Sequence, residues 1–255
     1  MSSTESCLDY VSDRHWMAQM TQTPPYLLPF VLAVDPVVDD TIDWYLPPGD
    51  APAPAVMFVH GGPLPPALRP KPRRWPVYQG YGALAVSRGL VGVTFDHRFS
   101  GYDALQDASS DIADVVARVR SHPRVDQDRL AIWAFSGGGV LLGRWMAARP
   151  DWLRCVAASY PTCRLQLPRD DAPPSMIDAL DATGSLPILL TRCGLERAEL
   201  ANMVAEFVAA AARVGAHLDI VDVPSGHHAF DVLDDTDESR STLVTAIDWV
   251  VAHVR

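Results

Sequence analysis

One serine stands at the point where a predicted buried strand gives way to glycines. Residues 131–135 are all apolar, Ser136 follows at once, and three glycines come next. The stretch matches the G-x-S-x-G pattern with alanine at the first position. In that pattern a sharp strand-to-helix turn exposes the hydroxyl, and small neighbours let two backbones pass closely. It predicts nucleophilic attack by Ser136 on an acyl carbon, and a helix-capping serine before a glycine-rich loop is the alternative.

The acid and the base that a nucleophilic serine needs are available after two later strands. Glu196 follows a short apolar run, and a carboxylate past a strand end can fix the tautomer of a histidine. Glu199 is the neighbouring alternative, and both glutamates also suit the first turn of a helix. His227 and His228 follow the last predicted strand, from which either can reach a central serine. Cys193 is interpreted as a packed side chain rather than a thiol nucleophile.

A second glycine-rich turn could stabilise the negative charge that such an attack creates. A His-Gly-Gly-Pro segment ending at Pro63 follows the apolar strand at 55–59. Because proline has no N–H, the expected oxyanion donor in this segment is the Gly62 N–H, with the Gly137 N–H as the second. His60 is interpreted as a structural residue whose ring holds the loop through a hydrogen bond.

Bulk composition excludes several function classes. The formal net charge is −10, so nucleic acid is not expected as a partner. No apolar run approaches the roughly 20 residues of a membrane helix, and the N-terminus does not have the pattern of a signal peptide. The four cysteines have no metal-like or paired spacing, and the adjacent histidines lack a third ligand. We therefore expect a cytoplasmic protein with reduced thiols, no metal, no cofactor and no membrane partner.

Strands and helices alternate along the chain and decide where these residues meet. Two segments, 30–34 and 41–46, are predicted to pair as strands. Apolar runs that indicate strands occur at 55–59, 90–95, 130–135 and 187–190, with weaker ones at 156–158 and 218–223. Apolar residues at helical spacing predict helices around 112–119, 200–211 and 243–251. This alternation predicts a mostly parallel α/β sheet with helices on both faces, whose ligands bind beyond the carboxyl ends of the strands.

Three segments lie outside this alternation. Residues 1 to 22 or so are polar and are interpreted as a tail or a short added helix. Residues 161–185 are too long for a plain connection and are interpreted as a small cap over the site, with a surface loop as the alternative. Residues 64–80 carry a basic cluster that could receive an acidic ligand, although a solvated loop is the favoured interpretation. Its members are Arg69, Lys71, Arg73 and Arg74.

Four of these motifs together resemble the α/β-hydrolase superfamily, most of all its small dienelactone-hydrolase-like branch. They lie at 59–63, 89–98, 133–139 and 226–231. The chain order of Ser136, Glu196 and the histidines, in which serine comes first and histidine last, is also the one that this superfamily uses. The resemblance implies one α/β-hydrolase domain at 26–255, preceded by an N-terminal extension at 1–25.

The resemblance also implies roles for single residues. The histidine directly before a small residue and phenylalanine is the base of that branch, which here is His228, with His227 beside it. Ser136 would be the nucleophile, and Gly62 and Gly137 the oxyanion donors. Two positions depart from the branch, because its namesakes use a cysteine nucleophile and usually an aspartate where Glu196 stands. The first departure means that lactone specificity does not carry over.

Three functions follow from this pattern. The first is a serine hydrolase that acts through an acyl-enzyme on an ester, thioester or lactone of a small molecule. The second is a tailoring enzyme that uses the same triad to cleave or cyclise a peptide or amide of one elaborate metabolite. The third is a non-catalytic binder with a hydrolase fold. A small molecule or a peptide is the expected partner, and the sequence does not predict the oligomeric state.

Overall fold

The computed structural model describes residues 34–165 and 172–255, and its strands form one eight-stranded sheet. The order across the sheet is β1-β2-β4-β3-β5-β6-β7-β8. The strands are β1 Val37–Asp39, β2 Ile42–Tyr45, β3 Ala53–Val59, β4 Val91–Phe95, β5 Val125–Phe135, β6 Leu153–Ser159, β7 Ile188–Leu195 and β8 Leu218–His227. Strand β2 is antiparallel to β1 and β4, and the remaining pairs are parallel, which confirms the predicted mostly parallel sheet.

Helices cover both faces of this sheet. They are α1 Pro76–Ser87, α2 Leu105–Ser121, α3 Gly143–Ala148, α4 Ala198–Val214, α5 Phe230–Leu233 and α6 Asp237–Val254. Alternate residues of β3 point to opposite faces, so Met57 joins the core beneath α2 and α4 while Phe58 joins the core beneath α1 and α6. The three predicted apolar stripes are the buried faces of α2, α4 and α6.

The hairpin at the sheet edge differs from the prediction. Strand β2 pairs with Val37–Asp39. Val34 is outside any strand, and residues 30–33 lie outside the described residues. Asp39 pairs with Ile42, so the chain turns in two residues, and Asp40 has a left-handed φ of 54° that aspartate tolerates. The valines of β1 are exposed at an edge, which is why no buried pattern marked this strand.

Two strands near the site are longer than their apolar runs. Strand β7 continues to Leu195 and β8 to His227, so Glu196 and His228 each stand immediately after a strand end. The pairing shifts register between Cys193 and Leu195. At this irregularity Gly194 is needed, because a Cβ there would lie 2.1 Å from the Pro224 carbonyl oxygen.

The basic cluster is largely engaged in contacts within the protein. Asp43 on β2 is fully buried and forms ion pairs with Arg73 at 3.3 Å and Arg74 at 3.2 Å. Burial raises the pKa of the Asp43 carboxyl, and the two guanidinium groups oppose that rise. Arg69 and Lys71 donate hydrogen bonds to carbonyl oxygens of their own loop. Two members therefore fix the loop to the sheet edge instead of forming an open anion site.

The described part of the predicted cap packs against the rest of the fold, including helix α3. Met176 is fully buried, and a Cβ at Gly143 of α3 would lie 2.1 Å from the Pro174 carbonyl oxygen. Residues 166–171 lie outside the described residues, so the cap stays a prediction. The N-terminal extension at 1–25, with Cys7, also lies outside them and stays a prediction as well. Within the described ranges, no helix combines the length and the apolar character needed to cross a membrane.

Candidate active site

Ser136 occupies a strained turn at the carboxyl end of the central strand β5. The strand ends at Phe135, and a 3₁₀ helix, Ser136–Leu141, begins with the serine itself. The φ of Ser136 is 49°, a left-handed value that costs a non-glycine residue on the order of 1–3 kcal/mol. The Thr162 N–H donates to the Ser136 carbonyl oxygen at 2.9 Å and helps to hold this conformation. The turn therefore has the backbone geometry expected of a nucleophile elbow.

Three of the predicted side chains form one continuous hydrogen-bond chain. The Ser136 Oγ lies 2.7 Å from the His228 Nε2, and the His228 Nδ1 lies 2.6 Å from the Glu196 Oε2. The imidazole and the carboxylate are nearly buried, with side-chain exposures of 9% and 5%. Because a carboxylate only accepts, the His228 Nδ1 carries a proton, which leaves Nε2 able to take the serine proton.

The alternatives for base and acid lie elsewhere. His227 is exposed, and its Nδ1 lies 2.9 Å from the Asp234 Oδ1. The backbone N–H of His227 donates to the Asp234 Oδ2. Glu199 is exposed in the first turn of α4. The structure thus brings Glu196 and His228 to the serine, and it does not bring Glu199 or His227 there.

Cys193 lies near the site but has no feature of a nucleophile. Its Sγ donates to the His227 carbonyl oxygen at 3.1 Å, and burial raises the pKa of the thiol far above its usual value. Cys155 and Cys163 are also buried thiols whose pKa values are raised by burial. A buried thiol with a raised pKa stays protonated at neutral pH, which agrees with a packing role.

The glycine turn after β3 lies directly against the serine turn. A Cβ at Gly137 would lie 1.8 Å from the Gly62 carbonyl oxygen, and a Cβ at Gly61 would lie 3.2 Å from the Ser136 Cβ. Only glycine allows the two backbones to approach this closely. The arrangement places Gly62 and Gly137 side by side next to the serine, where the oxyanion donors were predicted. Their donation to a substrate oxygen stays a prediction.

A pair of stacked histidines holds this turn, and His97 is the member that the sequence did not reveal. The His60 Nδ1 donates to the Gly61 carbonyl oxygen at 2.6 Å, which supports the structural role predicted for His60. Its ring stacks on His97 at 3.6 Å between centroids, and the His97 Nε2 donates to the His60 carbonyl oxygen at 3.1 Å. Since the Gly61 C=O and the Gly62 N–H belong to one planar peptide, fixing the carbonyl also fixes the direction of the N–H.

Protonation of this histidine pair should make the fold sensitive to acid. Burial lowers the pKa of His97 to about 4 and that of His60 well below its usual value, so the unfolded chain binds protons that the folded chain does not. Their contribution to stability is complete above pH ~6.5 and is lost as the pH falls toward the folded pKa values.

Between pH 7.5 and pH 4.5, we expect the free energy of unfolding of the wild type to fall by about 2 kcal/mol more than that of His97→Gln. Urea denaturation at both pH values measures the difference, and His217→Gln, at an exposed position, is the matched control. Equal acid sensitivity of His97→Gln and the wild type would contradict this role.

The contact between the two glycine turns can be tested with one methyl group. Gly137→Ala is expected to lower the catalytic rate at least 100-fold, because the added Cβ would push the serine turn away from Gly62. Gly101→Ala is the control, since a Cβ at Gly101 meets nothing within 4 Å. Ester hydrolysis together with a thermal melt compares the two variants. Wild-type activity in Gly137→Ala would contradict the described approach.

A cleft of about 660 Å³ lies beside the glycine turn without including the serine. His60, Leu64 and His97 form part of its wall, and the remaining lining residues come mainly from the loop at 64–72, the loop after β4, and α2. Neither Ser136 nor His228 lines this cleft, so it is not the space in which the reaction would occur. In the described parts of the chain, no cluster of three His, Cys, Asp or Glu side chains could hold a metal ion.

Comparisons with known proteins concern the fold of the chain. The model of the prolyl oligopeptidase family, Peptidase_S9, matches residues 84–172. No curated protein matches the sequence. A mutant of the esterase rPPE superposes with a TM-score of 0.71 at 16% identity, and the match covers 100% of this chain and 91% of that one. The chain has the α/β-hydrolase fold. The fold that the resemblance implied is thereby confirmed.

Two further solved structures share the α/β-hydrolase fold with this chain. A protein from Klebsiella pneumoniae described as a dienelactone hydrolase has a TM-score of 0.66 at 17% identity, covering 83% of this chain and 92% of that one. Esterase 2 of Thermogutta terrifontis, phosphorylated by paraoxon, has a TM-score of 0.65 at 17% identity, covering 88% of this chain and 95% of that one. At these identities the likeness establishes the α/β-hydrolase fold alone.

Proposed function

We propose that this α/β-hydrolase is a serine hydrolase that cleaves an ester, thioester or lactone of a small molecule. The observation that carries the proposal is the unbroken hydrogen-bond chain from Ser136 through His228 to Glu196. A helix-capping serine would have no reason to meet a buried, carboxylate-oriented imidazole. The esterases and the dienelactone hydrolase with the same fold support the same class of reaction.

The first half of the reaction acylates the serine. The His228 Nε2 takes the Ser136 proton as the oxygen attacks the acyl carbon, and Glu196 stabilises the imidazolium that forms. The Gly62 and Gly137 N–H groups donate to the oxyanion of the tetrahedral intermediate. The imidazolium then gives its proton to the leaving alcohol or thiol as the bond to the acyl carbon breaks.

The second half regenerates the enzyme. The neutral imidazole takes a proton from water, the hydroxide attacks the acyl-enzyme, and collapse of the second tetrahedral intermediate returns the proton to the Ser136 Oγ. A substrate amine or hydroxyl in place of water would give acyl transfer or cyclisation by the same steps. No metal or cofactor takes part in this proposed sequence.

Rapid quenching with a small activated ester tests the proposal. On mixing the protein with p-nitrophenyl acetate, we expect p-nitrophenolate release and one acetyl group on Ser136, found by mass spectrometry of the quenched protein. Turnover without any acetylated Ser136, with the label on another residue, would overturn the acyl-enzyme mechanism.

Amide or peptide cleavage is the second candidate. The observation that favours it is the match of residues 84–172 to the prolyl oligopeptidase family. Paired substrates distinguish the two candidates, namely a p-nitrophenyl ester and a p-nitroanilide of the same acyl group. Comparable kcat/KM on both substrates would favour the amide-cleaving candidate, whereas turnover of the ester alone favours the first.

A further inference from the structure

A buried carboxylate lies behind the candidate base and takes no part in the hydrogen-bond chain. Asp231 is 1% exposed and is the second residue of the short helix α5, which follows Ala229. The Tyr81 hydroxyl donates to its Oδ2 and the Tyr160 hydroxyl to its Oδ1, each at 2.7 Å. A buried charge is retained only where it is paired or fully hydrogen-bonded, and the two tyrosine hydroxyls supply these bonds.

Tyr160 connects this carboxylate to His228. The rings of Tyr160 and His228 pack in a T-shaped contact, with 4.9 Å between centroids and 63° between planes. The Tyr160 hydroxyl also donates to Asp231, so the carboxylate fixes the ring that contacts the imidazole. The Tyr160 N–H also donates to the Thr191 carbonyl oxygen at 3.0 Å.

Backbone strain is concentrated around this contact. Five non-glycine residues of the described chain have a left-handed φ, and three of them belong to this region: Ser136, Tyr160 and Ala229. A bulky residue such as tyrosine rarely adopts this conformation. The value of 40° at Tyr160 directs the chain just after β6, and the value of 62° at Ala229 follows His228 directly. Such strain persists only where the surroundings impose it.

The charge on Asp231 also acts on His228 directly. Burial raises the pKa of Asp231, while the hydrogen bonds from Tyr160 and Tyr81 and the nearby His228 oppose that rise. The other titratable groups facing the carboxylate are Tyr81 from α1, Tyr160 after β6, and Cys193 from β7. Burial raises the pKa of each of these above its usual value, so they stay neutral at pH 7. Asp231 accepts a tyrosine hydroxyl at each of its two oxygens, as an ionised carboxylate does, and an imidazolium formed on His228 would be attracted to that charge.

We propose that Asp231 is a positioning residue for His228, which holds the imidazole through Tyr160 and stabilises its protonated form by charge. The inference rests on the proposed function and deepens it, since it assigns a second carboxylate to the base besides Glu196. Glu196 fixes the tautomer through the Nδ1, whereas Asp231 acts on the ring without touching the serine.

The test follows the rate at which a fluorophosphonate reacts with Ser136, as a function of pH, so that no substrate need be known. For Asp231→Asn, which keeps the shape and removes the charge, we expect about a 10-fold lower rate and an acid limb moved by about half a pH unit to lower pH. The shift has this sign because the imidazolium loses a favourable anion. A purely structural role would leave the position of the limb unchanged.

Two tyrosine variants form a matched pair in the same assay. Tyr160→Phe should slow the reaction about 10-fold. Tyr81→Phe removes a bond of the same 2.7 Å length to the same carboxylate, yet its ring packs on Phe58, Trp133 and Phe135 instead of His228. We expect it to stay within about threefold of the wild type, at a similar cost in thermal stability.

The outcomes separate the inference from the proposed function. Wild-type labelling of Ser136 with an unchanged rate and pH profile in folded Asp231→Asn would overturn the role of Asp231 and leave the hydrolase proposal standing. Equal slowing by Tyr160→Phe and Tyr81→Phe would also overturn it, even if Asp231→Asn failed to fold. Absence of labelling in the wild type would overturn both.

Discussion

The Ser136→Ala substitution is expected to lower kcat/KM for ester hydrolysis by about 10⁶-fold, because it removes the proposed nucleophile from a triad that we expect to act as a unit. Alanine accepts the left-handed backbone at that position no worse than serine does, so the fold should survive. Steady-state kinetics on p-nitrophenyl esters measure the loss, and a thermal melt verifies the fold.

Ser225→Ala provides the matched control for this loss. Ser225 is exposed on β8, the strand that leads to His228, and its replacement should leave kcat/KM within about twofold of the wild type. Retention of a tenth or more of the activity in Ser136→Ala would show that the serine is not the nucleophile.

Glu196→Gln should lower kcat by about 10⁴-fold, since a neutral amide cannot stabilise the imidazolium by charge and its NH₂ group can turn to the His228 Nδ1, which favours the wrong tautomer. Glutamine keeps the size of the side chain, so the effect reports the charge and the tautomer. Steady-state assays at saturating ester measure it. Glu199→Gln is the natural control, because that carboxylate is exposed three residues further along the chain. An inactive Glu199→Gln beside an active Glu196→Gln would reverse the assignment of the acid.

Much of the site could be anticipated because its residues follow strand ends. In a parallel sheet the carboxyl ends of the strands meet at one edge, so chemistry-bearing residues after separate strands come together without any knowledge of side-chain packing. Ser136 and Glu196 could be located in this way. The choice of His228 over His227 needed the family resemblance, because adjacent residues at a strand end differ only in which way they point.

The supporting groups could not be found from local patterns. Asp231 bonds Tyr81 across 150 positions of sequence and Tyr160 across 71, and the sequence gives no sign that the three would meet. His97 stands just beyond the end of β4, so its position at a strand end was the one available signal. Its stacking on His60 depends on the spacing of neighbouring strands in the folded sheet.

The full length of strand β7 could not be predicted from its hydrophobic pattern either. The apolar pattern of β7 stops at Leu190, yet pairing with β8 continues past it to Leu195. Hydrogen bonding between the strands and the room left by Gly194 sustain the ladder there, and neither leaves a hydrophobic pattern. This extension matters for function, since it is what brings Glu196 to the imidazole.

The measurement that tests the central claim most directly is the intact mass of the protein after treatment with a fluorophosphonate, on the wild type and on Ser136→Ala. An activated serine at the elbow predicts a single adduct on the wild type, mapped to Ser136, and none on the variant. No adduct on folded wild-type protein would contradict an assembled catalytic site and would favour a non-catalytic binder with a hydrolase fold.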